Sequence, residues 1–366
     1  MQITAAVSRG PAEPFTIQTL ELAPPAPGEV LVRLVATGVC HTDLTVKNMM
    51  PAEAGAVVLG HEGAGVVEQI GAGVAGVAVG DHVLLSFSSC GACRSCATGE
   101  PAYCDDFAAL NGPSLRADGT PQLTSGGVPV LGSFFGQSSF ASHVLVHPRN
   151  VVVVDDGLDL VDAAPLGCGL QTGAGAVLNV LHPETAGSDG SVVVFGVGGV
   201  GLAAVMAAAA VDVPTVIAVD LVAGRRAAAL KAGATHVLDP ADGDVVAAIK
   251  ALTAGGATHA LDTTGAPAVI AQAARALGSR GQLVVVGLGR PEVTLDVHDL
   301  LNHGKTVRGC IEGDADPQRF LPRLIELHRA GRFPYEQLIV RYPLDRINQA
   351  VADSVAGESI KPVLTF

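Results

Sequence analysis

The sequence predicts an α/β protein of two domains, one strand-rich and one a doubly wound parallel sheet. The chain has 366 residues, too many for a single ordinary hydrophobic core. Up to about residue 165 it consists of short apolar runs cut by Gly and Pro, such as Glu29-Val30-Leu31-Val32-Arg33-Leu34-Val35, the texture of strands and turns. From about residue 190, apolar runs such as Thr215–Val219 and Gln282–Val286 alternate with Ala-rich helical segments, the pattern of a parallel sheet flanked by helices.

Composition supports dense packing. Only 16% of residues are charged, there is no Trp, and 45 are Gly, which argues against disorder. Net charge is −13, and no run of Lys or Arg exists to track a phosphate backbone or an anionic lipid surface, so neither nucleic acid nor membrane is expected as a partner. Met1-Gln2-Ile3-Thr4-Ala5-Ala6-Val7 lacks the basic flank and long apolar core of a signal peptide, so a cytoplasmic location with reduced thiols is expected. Val192–Val211 is uncharged over a length of about 20 residues, that of a membrane span. Its β-branched start, glycine cluster and Ala-rich end instead predict a buried strand, a turn and a helix.

Towards the C-terminus, Arg319–Ala330 is a helix candidate and Lys361–Phe366 a last strand. The tail is expected to rejoin the first domain, giving residues 1–165 with 306–366 as one domain and 166–305 as the other.

Four of the seven cysteines, Cys90, Cys93, Cys96 and Cys104, fall within fifteen residues. The spacing C-x2-C-x2-C-x7-C on a Gly-containing loop brings four thiolates together, as tetrahedral zinc at about 2.3 Å per sulfur requires. Disulfides are disfavoured in a reducing compartment, and ferredoxin-type iron–sulfur runs are spaced differently. A closed four-thiolate site has no position for substrate, so chemistry must lie elsewhere. Cys40, His61 and Cys168 are candidates, but taken singly a lone Cys is more often a small core residue than a ligand and a lone His more often an ordinary hydrogen-bonded one. Cys310 has no assigned partner and reads as a buried, inert thiol.

Gly196-Val197-Gly198-Gly199-Val200-Gly201 follows an apolar strand and opens a helix, the context that gives G-x-G-x-x-G its meaning as a dinucleotide site. Gly196 permits the tight turn, Gly198 lets the backbone approach a pyrophosphate, and Gly201 lets helix and strand pack closely; Gly199 and Val200 begin the helix whose N-terminus faces the anion. Asp220 ends the next strand, where a carboxylate accepts bonds from the adenosine ribose and repels a 2′-phosphate. NAD is therefore expected over NADP, although the guanidinium of Arg225 close by could tolerate a 2′-phosphate.

These stretches together resemble the zinc-containing medium-chain alcohol dehydrogenases along essentially the whole chain. Cys40-His41-Thr42-Asp43, Gly60-His61-Glu62-Gly63-Ala64-Gly65-Val66-Val67-Glu68, the four-cysteine loop, Cys168 and the glycine fingerprint come in that family's order. Within the family, Phe134-Phe135-Gly136-Gln137-Ser138-Ser139-Phe140-Ala141 and Pro165-Leu166-Gly167-Cys168-Gly169-Leu170-Gln171-Thr172-Gly173-Ala174-Gly175 look most similar to the aryl-alcohol (benzyl-alcohol) dehydrogenases.

The resemblance implies a GroES-like catalytic domain, a Rossmann NAD-binding domain and an active site in the cleft between them. It implies two zincs per chain, one structural and one catalytic, the latter held by Cys40, His61 and Cys168 with a fourth position open. Asp43 would fix the His61 tautomer, Glu62 would approach the metal during ligand exchange, and Thr42 would take the substrate proton. His41 and Lys361 would face the cofactor pyrophosphate, and relatives that keep a basic residue at Arg225 use NAD. Phe87, Phe134, Phe135 and Phe140 would line a channel for a primary aromatic or allylic alcohol, or the aldehyde in reverse. Subunits would form a homodimer or homotetramer. Two departures stand out: Thr45 occupies a relay position where many relatives carry histidine, and His41 one where some carry arginine. The rival functions are a thiol-adduct formaldehyde dehydrogenase, a nicotinoprotein that keeps its NAD, and a non-catalytic NAD-binding protein on the same fold.

Overall fold

The computed structural model describes residues 1–51 and 55–366. The chain divides into two compact units, Met1–Cys168 with Asp316–Pro322 and Glu336–Phe366, and Gly169–Ala315 with Arg323–Tyr335.

The first unit is built on two sheets. One runs Val57–Val58, Gln2–Ser8, Thr16–Leu22, Leu123–Ser125, Val128–Val130 across its width, every pairing antiparallel. The other runs Val151–Val154, His82–Leu85, Gly63–Ile70, Val30–Gly38, Lys361–Thr365, Ile339–Pro343, with His143–Val146 also paired to Val30–Gly38. Alternate side chains of these Val- and Leu-rich strands fill two apolar clusters, one around Leu20, Leu59, Phe140 and Leu364 and one around Val32, Val83 and Val144. Burial of such side chains is the main force holding the unit together.

Strand register places the chemistry. Val30–Gly38 and Gly63–Ile70 are antiparallel with Thr37 opposite Gly63, so the end of one strand and the start of the next share one edge of the sheet. Cys40 follows the first strand and His61-Glu62 precede the second. The terminal strand pairs Val363 with Gly38, which brings Lys361 to the same edge.

The second unit is a parallel sheet in the order His236–Leu238, Thr215–Val219, Ser191–Phe195, Ala257–Asp262, Leu277–Val285, Thr306–Gly309. Val193, Phe195, Ile217 and Leu283 belong to its core. The uncharged Val192–Val211 stretch is the strand Ser191–Phe195 followed by the helix Gly199–Ala210. Among the described residues no helix is long and apolar enough to cross a membrane.

Two boundaries differ from those expected at 165/166 and 305/306. Thr306–Gly309 is the edge strand of the parallel sheet, so residues up to Ala315 stay with the second unit. The helix expected at 319–330 is Pro317–Arg329, and its part from Arg323 onward belongs to the second unit. An edge strand with half-exposed side chains carries little of the hydrophobic signal that marks its neighbours.

Candidate metal centres and cofactor site

The loop 90–104 gathers four thiols whose sulfurs all lie within 4.8 Å of one another. Cys90 and Cys96 sulfurs are 3.9 Å apart, and those of Cys93 and Cys104 are 4.0 Å apart. A tetrahedron with bonds of about 2.3 Å has edges of about 3.8 Å, so the four sulfurs fit one zinc ion. Backbone N–H groups of Cys90 and Cys93 donate to Cys104 Sγ at 3.2 Å and Cys90 Sγ at 3.3 Å. Backbone N–H groups, that of Asp105 foremost, lower the Cys93 thiol to about 7, since such bonds favour the thiolate.

A second group, Cys40, His61, Glu62 and Cys168, also keeps its ligand atoms within 4.8 Å. Cys40 caps the helix His41–Met49. Asp43, fully buried, binds both flanks: its Oδ2 accepts the Cys40 N–H at 2.9 Å, while Oδ1 accepts the Gly60 N–H at 3.0 Å and lies 2.8 Å from His61 Nδ1. With Nδ1 so engaged, His61 Nε2 is left buried without a hydrogen-bond partner. A buried polar atom without a partner is costly, and two thiols beside it form the Cys2His donor set of a zinc site. Ser86 Oγ donates to Gly167 O at 2.6 Å, fixing the turn before Cys168.

Glu62 is fully buried, and Gly38 makes room for it: a Cβ there would fall 1.9 Å from Glu62 Oε2. Lys361 Nζ lies 2.7 Å from Glu62 Oε1 and 2.6 Å from Oε2, and donates to Val39 O at 3.3 Å. Burial works to lower the Lys361 pKa, but Glu62 and Cys40 outweigh it and hold the ammonium charged, above the ordinary lysine range.

In the second unit the glycine loop has the shape of a phosphate cradle. Gly196 has φ +83°, and a Cβ on Gly201 would meet Gly196 O at 2.0 Å. Above Gly198 nothing lies within 4 Å of the Cβ position, so the backbone there is open to an approaching anion. Gly198 caps the helix that starts at Gly199. Asp220 accepts the Val197 N–H at 2.9 Å and the Val222 N–H at 2.8 Å, tying the fingerprint loop to the end of the neighbouring strand. The residues present fit a dinucleotide.

The chain matches the profile of the alcohol dehydrogenase GroES-like domain over residues 26–156 and that of the zinc-binding dehydrogenases over 199–328. It is 48% identical over 366 residues to geraniol dehydrogenase of Castellaniella defragrans, covering 99% of this chain and 97% of that one. It belongs to the zinc-dependent medium-chain alcohol dehydrogenases. Zinc and NAD are the cofactors of this dehydrogenase. Two solved structures are similar: an alcohol dehydrogenase zinc-binding domain protein from Burkholderia ambifaria, at TM-score 0.96 and 48% identity, and benzyl alcohol dehydrogenase from Acinetobacter calcoaceticus, at TM-score 0.95 and 42% identity. Each alignment covers 100% of this chain and 99% of the other.

Two of the four expected phenylalanines of the dehydrogenase, Phe134 and Phe135, pack on His61, and Phe87 is linked to them only through Phe107. Phe135 stacks on the His61 ring at 4.5 Å and 27°, and Phe134 meets it edge-on at 5.3 Å. Phe107 stands 6.2 Å from Phe135 and 5.7 Å from Phe87, so an aromatic row leads away from the metal ligand. Phe140 packs edge-on against Phe15 at 5.7 Å and is fully buried in the cluster of the first sheet, to which Phe134 also belongs.

Lys361 is buried with its ammonium on Glu62. Thr42 is half-buried on the first helical turn, and His41 beside it is exposed. Arg225 reaches only to 4.0 Å from Asp220, whereas Arg226 donates to Asp220 O at 2.7 Å and pairs with Asp239 at 2.8 Å. Cys310 is buried, and burial pushes its thiol well above the ordinary range, as suits an inert residue.

Sequence reasoning missed Phe107, Arg226 and Gln137. The Gln137 amide donates to His61 O at 2.8 Å and accepts the Gly63 N–H at 3.0 Å. Its place within Phe134–Ala141 was the available signal, since a buried amide there needs partners.

Proposed function

We propose that this dehydrogenase oxidises primary aromatic or allylic alcohols to aldehydes, with NAD accepting the hydride. The observation that carries the substrate class is the aromatic row Phe135, Phe107 and Phe87 starting on the ring of His61. Flat apolar substrates gain from such faces, each aromatic pair contributing about 0.5–1.5 kcal/mol beyond its buried area. The printed names of two relatives, geraniol dehydrogenase and benzyl alcohol dehydrogenase, support the same class.

Cys40, His61 and Cys168 hold the catalytic zinc, and Cys90, Cys93, Cys96 and Cys104 the structural one. Bound in the first site, zinc supplies a Lewis acid that makes a substrate hydroxyl easier to deprotonate. Asp43 keeps the proton of His61 on Nδ1 so that Nε2 offers a lone pair. Thr42, two residues after Cys40, would accept the substrate hydroxyl proton while giving its own towards the cofactor ribose. Glu62, paired with Lys361, keeps its carboxylate within 4.8 Å of the other ligand atoms, where it would approach the metal during ligand exchange. Gly196–Gly201 receive the pyrophosphate and Asp220 the adenosine ribose.

A cytoplasmic, reducing compartment fits seven free cysteines, and pairing into a homodimer or homotetramer belongs to the same proposal. The test is NADH formation at 340 nm with benzyl alcohol, cinnamyl alcohol, geraniol and ethanol, after metal analysis of the same sample. Turnover favouring the first three, with about two zincs per chain, is expected. Two zincs without turnover on any of them would point to the thiol-adduct or permanently bound NAD alternatives.

A further inference from the structure

Glu312, Gly313 and Asp314 are three consecutive residues in the left-handed region, with φ of 50°, 70° and 49°. Two of them carry a Cβ, so the turn is strained. Such strain persists only where surrounding contacts over-determine it, and it concentrates at functional sites.

The contacts are specific. Glu312 is buried, its Oε2 accepting Gln171 Nε2 at 3.0 Å and Thr172 Oγ1 at 3.5 Å. Asn179 Nδ2 donates to Gly313 O at 3.0 Å, and Arg308 pairs with Asp314. Backbone meets backbone beside these bonds: a Cβ on Gly313 would lie 2.4 Å from Gln171 O, and one on Gly175 would lie 2.3 Å from Gly313 O. The turn is thereby clamped onto the helix Gly169–Gly175.

Its place in the sheet gives the turn a role. Dinucleotides bind across the carboxyl ends of parallel strands. Asp220 ends the strand on one side of Ser191–Phe195, which assigns the adenosine half to that side. The nicotinamide half must then cross the ends of Ala257–Asp262, Leu277–Val285 and Thr306–Gly309. The strained turn follows the last of these by two residues, and Cys310 N–H continues the ladder to Val285 O at 3.0 Å.

We propose that Glu312 is a positioning residue whose carboxylate, clamped by Gln171 and Thr172, holds the 312–314 turn in the shape that receives the nicotinamide half of NAD. This rests on the reading of NAD as cofactor, which wild-type binding of NAD and ADP-ribose checks by itself. The experiment is calorimetric titration of the zinc-loaded enzyme with NAD and with ADP-ribose, which lacks nicotinamide. Glu312→Ala is expected to weaken NAD at least about fivefold while ADP-ribose changes less than about twofold. Glu312→Gln, which keeps an acceptor oxygen, is expected to restore most of the loss. Should Glu312→Ala not fold, Asn179→Ala loosens the same turn and is expected to give the same split. Equal weakening of both ligands, no weakening of either, or no rescue by Gln would overturn the proposal.

Discussion

Asp43 Oδ1 lies 2.8 Å from His61 Nδ1, and neither side chain touches solvent. Because the same carboxylate also accepts the Cys40 N–H, one residue orients two ligands of the catalytic site. Asp43→Asn keeps the shape but removes the charge, and outer-shell changes of this kind cost about 10- to 100-fold in metal affinity or activity. The expected result is a loss of that size in kcat/KM with the four-cysteine zinc retained, read by kinetics and metal analysis side by side.

Cys104 is the buried corner of the four-thiol loop. Cys104→Ser is expected to release one zinc per chain and to lower the melting temperature by roughly 6–12 °C, taking a loss of about 3 kcal/mol at ~2–4 °C per kcal/mol. Differential scanning calorimetry with metal analysis checks both. An unchanged melting temperature at one zinc per chain would show the loop folds without its metal.

Phe107 bridges Phe87 and Phe135. Phe107→Ala is expected to reduce the kcat/KM preference for benzyl alcohol over ethanol by about tenfold, the equivalent of ~1.4 kcal/mol. Zinc content should not change. A fall of equal size for both alcohols would mean that Phe107 supports the fold rather than the substrate.

Glu29 joins distant parts of the first unit. It accepts Arg116 Nε and Nη2, both at 2.8 Å, the Ala26 N–H at 2.8 Å and Gln122 Nε2 at 3.1 Å. Burial works to raise its pKa, but these bonds outweigh burial and hold it below the ordinary glutamate value. A depressed folded pKa contributes stability above the unfolded value of about 4.3 and loses it as pH falls through the folded one. Glu29→Gln should therefore cost about 1–2 kcal/mol at pH 7 and progressively less below pH ~4. Urea titrations of both proteins across that range would show the convergence.

The four-cysteine loop was legible because zinc demands particular side chains at short spacing, which survives in a linear reading, whereas Cys40, His61 and Cys168 are far apart in sequence and were reached only through the family resemblance. The glycine fingerprint was legible for a similar reason, since Gly201 against Gly196 O admits no side chain. The pairing of Lys361 with Glu62 was not legible because the two are 299 residues apart, a pairing set by strand register and not by local pattern. Phe140 and Phe135 lie in one short segment with the same residue type, yet one is core and the other stacks on His61. The left-handed backbone at Ser133, Phe135 and Ser138 turns the side chains differently, and no periodicity encodes that. The edge strand Thr306–Gly309 escaped assignment to the parallel sheet for lack of an apolar run.

The most direct test of the account is Cys40→Ser, assayed for zinc content, NAD binding and turnover of benzyl alcohol in one preparation. Cys40 lies in one compact unit and the glycine loop in the other, so the account predicts lost turnover and loosened catalytic zinc with NAD affinity kept. Full turnover in the variant, or loss of NAD binding together with activity, would contradict it.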